Sequence, residues 1–453
     1  MILWPRCMLA SGLTIISGSE AERLCMPACP SRSELEAVFR IERPRLIAAL
    51  MRHSRDVSVV EDVVQDALLK ASMVWSSSGI PHNPGGWLFA VARNRFIDRV
   101  RHSRMADQKL VDLTHYIELT RPASLSAADE AIAFPEVGDD ILALMFITCH
   151  SKLSRDSRVT LTLRLVGGLT VDEIARAFQT STSAIEQRIV RAKRELVSQG
   201  ISRELPEQGE RDARLGSVME VIYLIYNEGY AATAGPALTR PALCSEGLRL
   251  GRMLARIKPE EPEVLGLLAL MELQCSRLLA RQDRQGLPVP LDRQDRGLWD
   301  RLLIRRGLEI VERACRMSSP TGWYLLQALI SACHARAASF RDTNWREILA
   351  RYDALFLLSP TYVVALNRAV AVSWAMNPAA GMAVLKAIED EWDVETYPLF
   401  HATRADFLSR LGFQDQAAAA YQAAAVLSTN LPQKLFLVTR AEECLAGSRT
   451  DVG

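Results

Sequence analysis

Residues 83–104 read NPGGWLFAVARNRFIDRVRHSR and set five arginines, Arg93, Arg95, Arg99, Arg101 and Arg104, among Trp87, Phe89 and Phe96. Guanidinium groups track a phosphate backbone and aromatic rings stack on unpaired bases, so this mixture suits single-stranded nucleic acid. At about 100° per residue, Phe89, Ala92, Phe96 and Val100 share one helical face, which reads as core. Arg95 and Arg99 flank that face on one side, Arg93 and Arg104 on the other, and Trp87 and Asn94 lie opposite. Ordinary helix packing with a solvated basic rim accounts for the stretch as well, so it does not name a function alone.

A second stretch, residues 169–196, reads LTVDEIARAFQTSTSAIEQRIVRAKREL. Thr170 with Glu173, and Ser183 with Glu186, fit capping boxes and announce two short helices. Ile174, Ala175 and Phe178 face inward on the first; Ile185, Ile189 and Ala192 do so on the second, across a polar turn at Gln179 to Thr182. This is a helix-turn-helix layout, whose second helix enters the major groove with its leading residues at base edges. Thr182, Ser183, Glu186, Gln187 and Arg188 stand at that leading end, and Arg191, Lys193 and Arg194 suit phosphate contacts. A helical hairpin that binds nothing is the plain alternative. A third stretch, EDVVQDALLKA at 61–71, gathers Glu61, Asp62, Gln65 and Asp66 into an acidic and amide patch, opposite Val64, Leu68 and Ala71. Alone it is a solvated face; just before a basic helix it suggests protein docking.

The elements that must hold these residues are helices. Helical periodicity covers 33–50, 56–75, 87–102 and 139–198, with a Pro/Gly turn at Pro81, Pro84, Gly85 and Gly86. Ala/Leu-rich helical segments then run to the end, and no stretch has convincing strand alternation, so the fold class is all-α. Near the end a shift of 37 residues maps Ala380 onto Ala417, Val384 onto Tyr421 and Ala387 onto Ala424. With Leu411 and Gly412 this has the small–large alternation of a tetratricopeptide helix pair, a unit that stacks into solenoids; any alanine-rich hairpin is the alternative.

Composition narrows the class further. The 453 residues carry a formal net charge of only +1, but charge is segregated. From 86 to 109 six basic residues face two acidic ones, a net of +4; from 105 to 140 two basic face eight acidic, a net of −6, in a Pro-interrupted stretch that reads as a linker. Nine scattered cysteines without a C-x-x-C pair fit a reducing cytoplasm, and no apolar run is long enough for a membrane span. The first residues loosely resemble a short signal peptide; the favoured expectation is a poorly ordered or misannotated extension, with translation starting at Met8 or Met26. No phosphate-binding loop, zinc-protease or hydrolase motif occurs. Cys149 and His150 are neighbours in sequence that do not face each other on a helix, and read as core. No catalytic residue, metal or cofactor is expected.

The order of the motifs is more specific than any one of them. Acidic docking helix (62–71), Pro/Gly turn and Trp-led basic helix (84–94), acidic linker and helix-turn-helix (169–196) together resemble the bacterial extracytoplasmic-function sigma factors of the sigma-70 family, which keep only regions two and four. VIYLIYNEGY (221–230), EPEVLGLLALMEL (261–273), LDRQDRGLWDR (291–301) and VVALNRAVAV (363–372) resemble the long C-terminal extension of one subgroup, which carries a tetratricopeptide-like tail. The resemblance implies an N-terminal extension (1–32), sigma region two (33–104), an acidic linker (105–138), sigma region four (139–200) and a helical extension (205–453). It implies docking on the core RNA polymerase through Asp62, Gln65 and Asp66. It implies minus-ten promoter DNA held by Trp87, Arg93, Asn94, Arg95, Asp98 and Arg99, and the minus-thirty-five duplex read by Thr182, Ser183, Glu186, Gln187, Arg188, Arg191, Lys193 and Arg194. The linker would thread toward the polymerase cleft. The extension would regulate in cis, with its repeats open to a regulatory protein, in a cytoplasmic factor without membrane contact. A stand-alone helix-turn-helix regulator with a ligand- or partner-sensing helical domain is the other expectation, and a scaffold built on the tail a third.

Overall fold

A computed structural model describes residues 30–54, 56–106, 138–178, 180–198, 208–317 and 321–450. The expectations for the N-terminal extension and most of the linker lie outside these residues. The described residues are helical, with isolated bridges at Gly235–Asn430 and Gln282–Pro288 and no strand among them. They divide into two compact units, one within 1–135 and the other within 136–453.

The first unit is three helices: α1 (Arg32–Met51), α2 (Val57–Ser78) and α3 (Pro84–Ala106). Ser31 and Glu34 form a full capping box at the start of α1, and the Asp56 side chain caps α2. The Pro/Gly turn expected before α3 is shorter than its sequence suggested. Asn83 Oδ1 accepts from the Gly86 amide at 2.9 Å, so Asn83 is the cap and Pro84 the first helical residue, where its missing N–H costs nothing. Leu46, Ile47, Leu50, Val60, Val64, Ala67, Leu88, Ala92 and Phe96 are buried, as is Trp75, whose ring lies 5.8 Å from Phe39 and 5.3 Å from Trp87.

The second unit begins with α4 (Gly138–Thr148) and α5 (Arg155–Leu161), which continues as a π-helical turn at Thr162–Val166. The hairpin α6 (Val171–Phe178) and α7 (Thr182–Ser198) follows. Next come α8 (Gln208–Tyr230), α9 (Pro241–Ile257) and α10 (Pro262–Cys275), then a turn-rich segment, then α11 (Arg301–Cys315), α12 (Trp323–Arg336), α13 (Trp345–Leu358), α14 (Tyr362–Ala375), α15 (Pro378–Glu391), α16 (Pro398–Arg410), α17 (Gln414–Leu427) and α18 (Leu431–Thr450). α14, α16 and α18 start 36 and 33 residues apart, as antiparallel pairs of a stacked array do. Ala417, Ala418, Tyr421, Ala424 and Ala425 are the small–large seam where α17 packs on its neighbours, and Gly412 turns the chain before it at φ 91°.

The loop before the last helix, α18, contacts the loop between α8 and α9: Asn430 Nδ2 donates to the carbonyls of Ala232 (3.1 Å) and Ala237 (2.9 Å), and the Leu431 amide to Gly235 (3.0 Å). Asn430 is only 1% exposed.

Candidate nucleic-acid interface

On α2 the three carboxylate and amide positions expected to dock a partner, Asp62, Gln65 and Asp66, are exposed. Glu61, read from the sequence as part of the same patch, is not. It is 8% exposed and pairs at 2.9 Å with Arg43, itself 7% exposed, between α1 and α2. At about 100° per residue Glu61 lies about 20° from Leu68 and 60° from Val64, inside the buried stripe, while Asp62 and Asp66 face away from it. Geometry outweighed residue type, and the buried charge stands because Arg43 meets it.

On α3 the expected face is broader than drawn. Leu88, Ala90, Val91, Ala92 and Phe96 are buried and Phe89 is half-buried. Asn94, Arg95, Asp98 and Arg99 are exposed and Arg93 is half-buried, so one side of the helix offers amide, carboxylate and guanidinium groups to solvent. Trp87, expected opposite the core, is half-buried with its indole edge-on to Trp75 (interplanar 60°); only part of its ring is open for stacking. Arg99 Nη2 pairs with Asp62 at 3.0 Å, joining the two candidate surfaces. Both partners are about half exposed, and an ion pair of that kind contributes roughly 0–1 kcal/mol, so it opens readily.

In the second unit the helix-turn-helix reading of 169–196 matches the backbone. The Thr170 amide donates to Glu173 Oε2 (2.7 Å) and the Glu173 amide to Thr170 Oγ1 (3.2 Å), closing the first capping box. The second cap is Ser181, not Ser183: Ser181 Oγ accepts from the Ala184 amide at 3.2 Å, and α7 starts at Thr182. Every residue of the run Thr180-Ser181-Thr182-Ser183 can cap, so composition did not single one out. Thr182 Oγ1 donates to Asp172 Oδ1 at 3.2 Å, tying the tip of α7 to α6. Ile174, Ile185, Ile189, Ala192 and Leu196 are buried between the helices. That burial turns Thr182, Ser183, Glu186, Gln187, Arg191 and Arg194 outward, with Arg188 and Lys193 half-buried at the margins.

Cys149 is buried 3.3 Å from Thr162 Oγ1, and burial pushes its thiol pKa up to about 11, so it stays protonated and packs as core. Among the described residues no cluster of three or more His, Cys, Asp or Glu could hold a metal, and no helix is long and apolar enough to cross a membrane.

Sequence reasoning missed a polar seam between α4–α7 and α8–α9. Arg158 Nη1 reaches Glu220 (2.9 Å) and Ser217 (3.2 Å), and the Ser217 hydroxyl donates to the Cys149 carbonyl. Arg249 Nη2 donates to the carbonyls of Val166 (3.2 Å) and Gly167 (3.0 Å). An i,i+3 pair such as Glu246–Arg249 carries no signal of a contact some 80 residues away.

Comparison with known proteins covers the same regions. Residues 38–105 match sigma-70 region 2, residues 143–196 match sigma-70 region 4, and residues 214–315 match a family of unknown function (DUF6596). An uncharacterized protein of Rhizobium meliloti is 38% identical over 409 residues, 90% of this chain and 95% of its own length. An ECF RNA polymerase sigma factor, SigK, of Mycobacterium bovis is 29% identical over 158 residues, 34% of this chain and 79% of its own. A probable ECF RNA polymerase sigma factor, SigI, of Mycobacterium tuberculosis is 25% identical over 162 residues, 36% of this chain and 54% of its own.

Proposed function

We propose a division of labour among the side chains of this chain, which belongs to the extracytoplasmic-function sigma factors of the sigma-70 family and carries a long helical extension after regions two and four. Such a factor joins core RNA polymerase and directs initiation at chosen promoters. In our reading Asp62, Gln65 and Asp66 dock region two on the polymerase. Trp87, Arg93, Asn94, Arg95, Asp98 and Arg99 then hold the opened minus-ten strand. Residues Thr182, Ser183, Glu186, Gln187 and Arg188 of α7 read the minus-thirty-five duplex, while Arg191, Lys193 and Arg194 take its phosphates. The helical extension adjusts this activity from within the same cytoplasmic chain, and its repeats take any regulatory partner. The acidic linker between regions two and four occupies the polymerase cleft as a mimic of nucleic acid.

The observation that carries the reading is the exposure of both charge sets on folded elements: acid and amide on α2, basic and amide groups on α3 and α7. Each head offers only a few phosphate contacts, and non-specific affinities of that kind are about 10⁻⁴ to 10⁻⁶ M at physiological salt. Polymerase holding both heads at fixed spacing supplies the missing affinity as effective concentration. The test is a set of single substitutions in the full chain. Asp66→Asn should weaken co-elution with core polymerase, and Gln187→Ala should leave co-elution intact while lowering output only from promoters with an intact minus-thirty-five element. If Asp66→Asn co-elutes normally and Gln187→Ala transcribes normally, the assignment is wrong.

A further inference from the structure

The segment that aims the helix-turn-helix is held from outside it. After the π-helical turn the chain passes through Gly167, Gly168 (φ 71°), Leu169 and the cap Thr170 before α6 begins. The chain enters α6 through these few residues, and α7 packs on α6 and on α5 beside them. Two arginines fix them. Arg164, from the same turn, donates to the Leu169 carbonyl at 3.0 Å. Arg249, from α9 of the extension, donates to the carbonyls of Val166 and Gly167.

Arg249 is itself held. Its Nη2 lies 2.7 Å from Glu246 Oε1 and its Nε 3.1 Å from Glu246 Oε2, a two-point grip on a carboxylate that is 5% exposed. The Glu246 carboxylate in turn lies against Gly167: a Cβ at that glycine would stand 2.8 Å from Glu246 Oε1 and 2.5 Å from the Leu163 carbonyl oxygen. A side chain at 167 would displace the Glu246 carboxylate and crowd the turn's own backbone, and glycine leaves the carboxylate its place.

We infer that Arg249, oriented by Glu246, is a positioning residue for minus-thirty-five recognition: the extension supplies the clamp that sets the angle of the DNA-reading helix. This rests on α7 being the promoter-reading helix. It also gives the extension a physical route to promoter choice. Whatever shifts α9 shifts the carbonyls of 166 and 167, and a helix pivoted at its entry moves its far end most.

The test uses full-length protein, core polymerase and two templates for each promoter mapped by sequencing initiated transcripts, one intact and one with the minus-thirty-five element scrambled. The readout is the ratio of output between them. Arg249→Ala is expected to lower that ratio about tenfold and Arg249→Lys about threefold, since lysine keeps the charge and loses the fork. Glu246→Gln should act in the same direction. Output on the scrambled template, and co-elution with polymerase, should stay within twofold of wild type, as should every readout for Arg256→Ala, an exposed position on the same helix. A merely structural role predicts a parallel fall on both templates, and that result for Arg249→Ala and Glu246→Gln alike would overturn the inference. An unchanged ratio in all three variants would also overturn it. A wild-type ratio near one, unaltered by Gln187→Ala, would instead remove the reading on which it rests, and the inference with it.

Discussion

Replacing Glu61 by Gln should damage region two although it lies one residue from the exposed Asp62, which we propose for docking. The substitution preserves volume and removes the charge that faces Arg43 at 2.9 Å, with both side chains under 10% exposed. Breaking one partner of a buried pair typically costs about 3–5 kcal/mol, against about 0–1 kcal/mol for an exposed one. At 1.36 kcal/mol per decade, that is roughly two to three and a half decades in the opening equilibrium of α1–α3. Native-state hydrogen exchange on the full chain measures it by peptide: amides of α1 and α2 should exchange at least about a hundredfold faster in Glu61→Gln. Asp66→Asn, on the exposed face, should leave their exchange within about threefold. The double replacement Arg43→Met with Glu61→Leu should recover most of the protection, because packed apolar groups of similar volume commonly match a buried pair. Acceleration below about threefold in Glu61→Gln would show that this buried pair carries little energy and would refute the reasoning.

Three further outcomes follow from other sites. Ser181→Ala should cost about 1 kcal/mol and loosen the first turn of α7, while Ser183→Ala changes stability by a few tenths, because the Ser181 hydroxyl is the cap; exchange at amides 183–186 separates the two. Asn430→Ala leaves the buried Ala232 carbonyl and the part-buried Ala237 carbonyl without this donor, at about 1–3 kcal/mol for the buried one, and should speed exchange in the 231–238 loop more than in α13 or α14. His334 is held neutral, its pKa pushed down to about 3 by burial and then by the positive Arg277 and Arg296. Its folded pKa is depressed, so the unfolded chain binds the extra proton between about pH 6.5 and 3 and stability falls with pH across that window, by about 2 kcal/mol at pH 5. Denaturant melts at pH 7 and 5 should show this acid slope in wild type and a shallower one in His334→Gln.

Much of this architecture was legible in the sequence because local rules and tertiary packing agree. Thr170 and Glu173 sit before an apolar periodicity, and the box they announce is formed. Ala417, Tyr421 and Ala424 are the seam their spacing suggested. Failures occurred where one local signal had several solutions or where contacts are long-range. The run of four hydroxyl residues before α7 hid the true cap. Charge places Glu61 on the surface, whereas its helical angle places it with Leu68. Helical periodicity alone turns Trp87 outward because its partner, Trp75, is on another helix. Nothing local could reveal that Asn430 donates to the carbonyls of Ala232 and Ala237, or that Arg249 grips the turn at Val166 and Gly167, since those contacts exist only once the helices have stacked.

The most direct test of promoter-directed initiation mixes the purified chain with bacterial core RNA polymerase, isolates any complex by size exclusion, and sequences the transcripts it initiates on genomic DNA. Co-elution is expected, with starts that share a two-part upstream sequence, lost on Asp66→Asn together with Asp62→Asn. Absence of co-elution, combined with sequence-specific duplex binding by the chain alone, would contradict promoter-directed initiation.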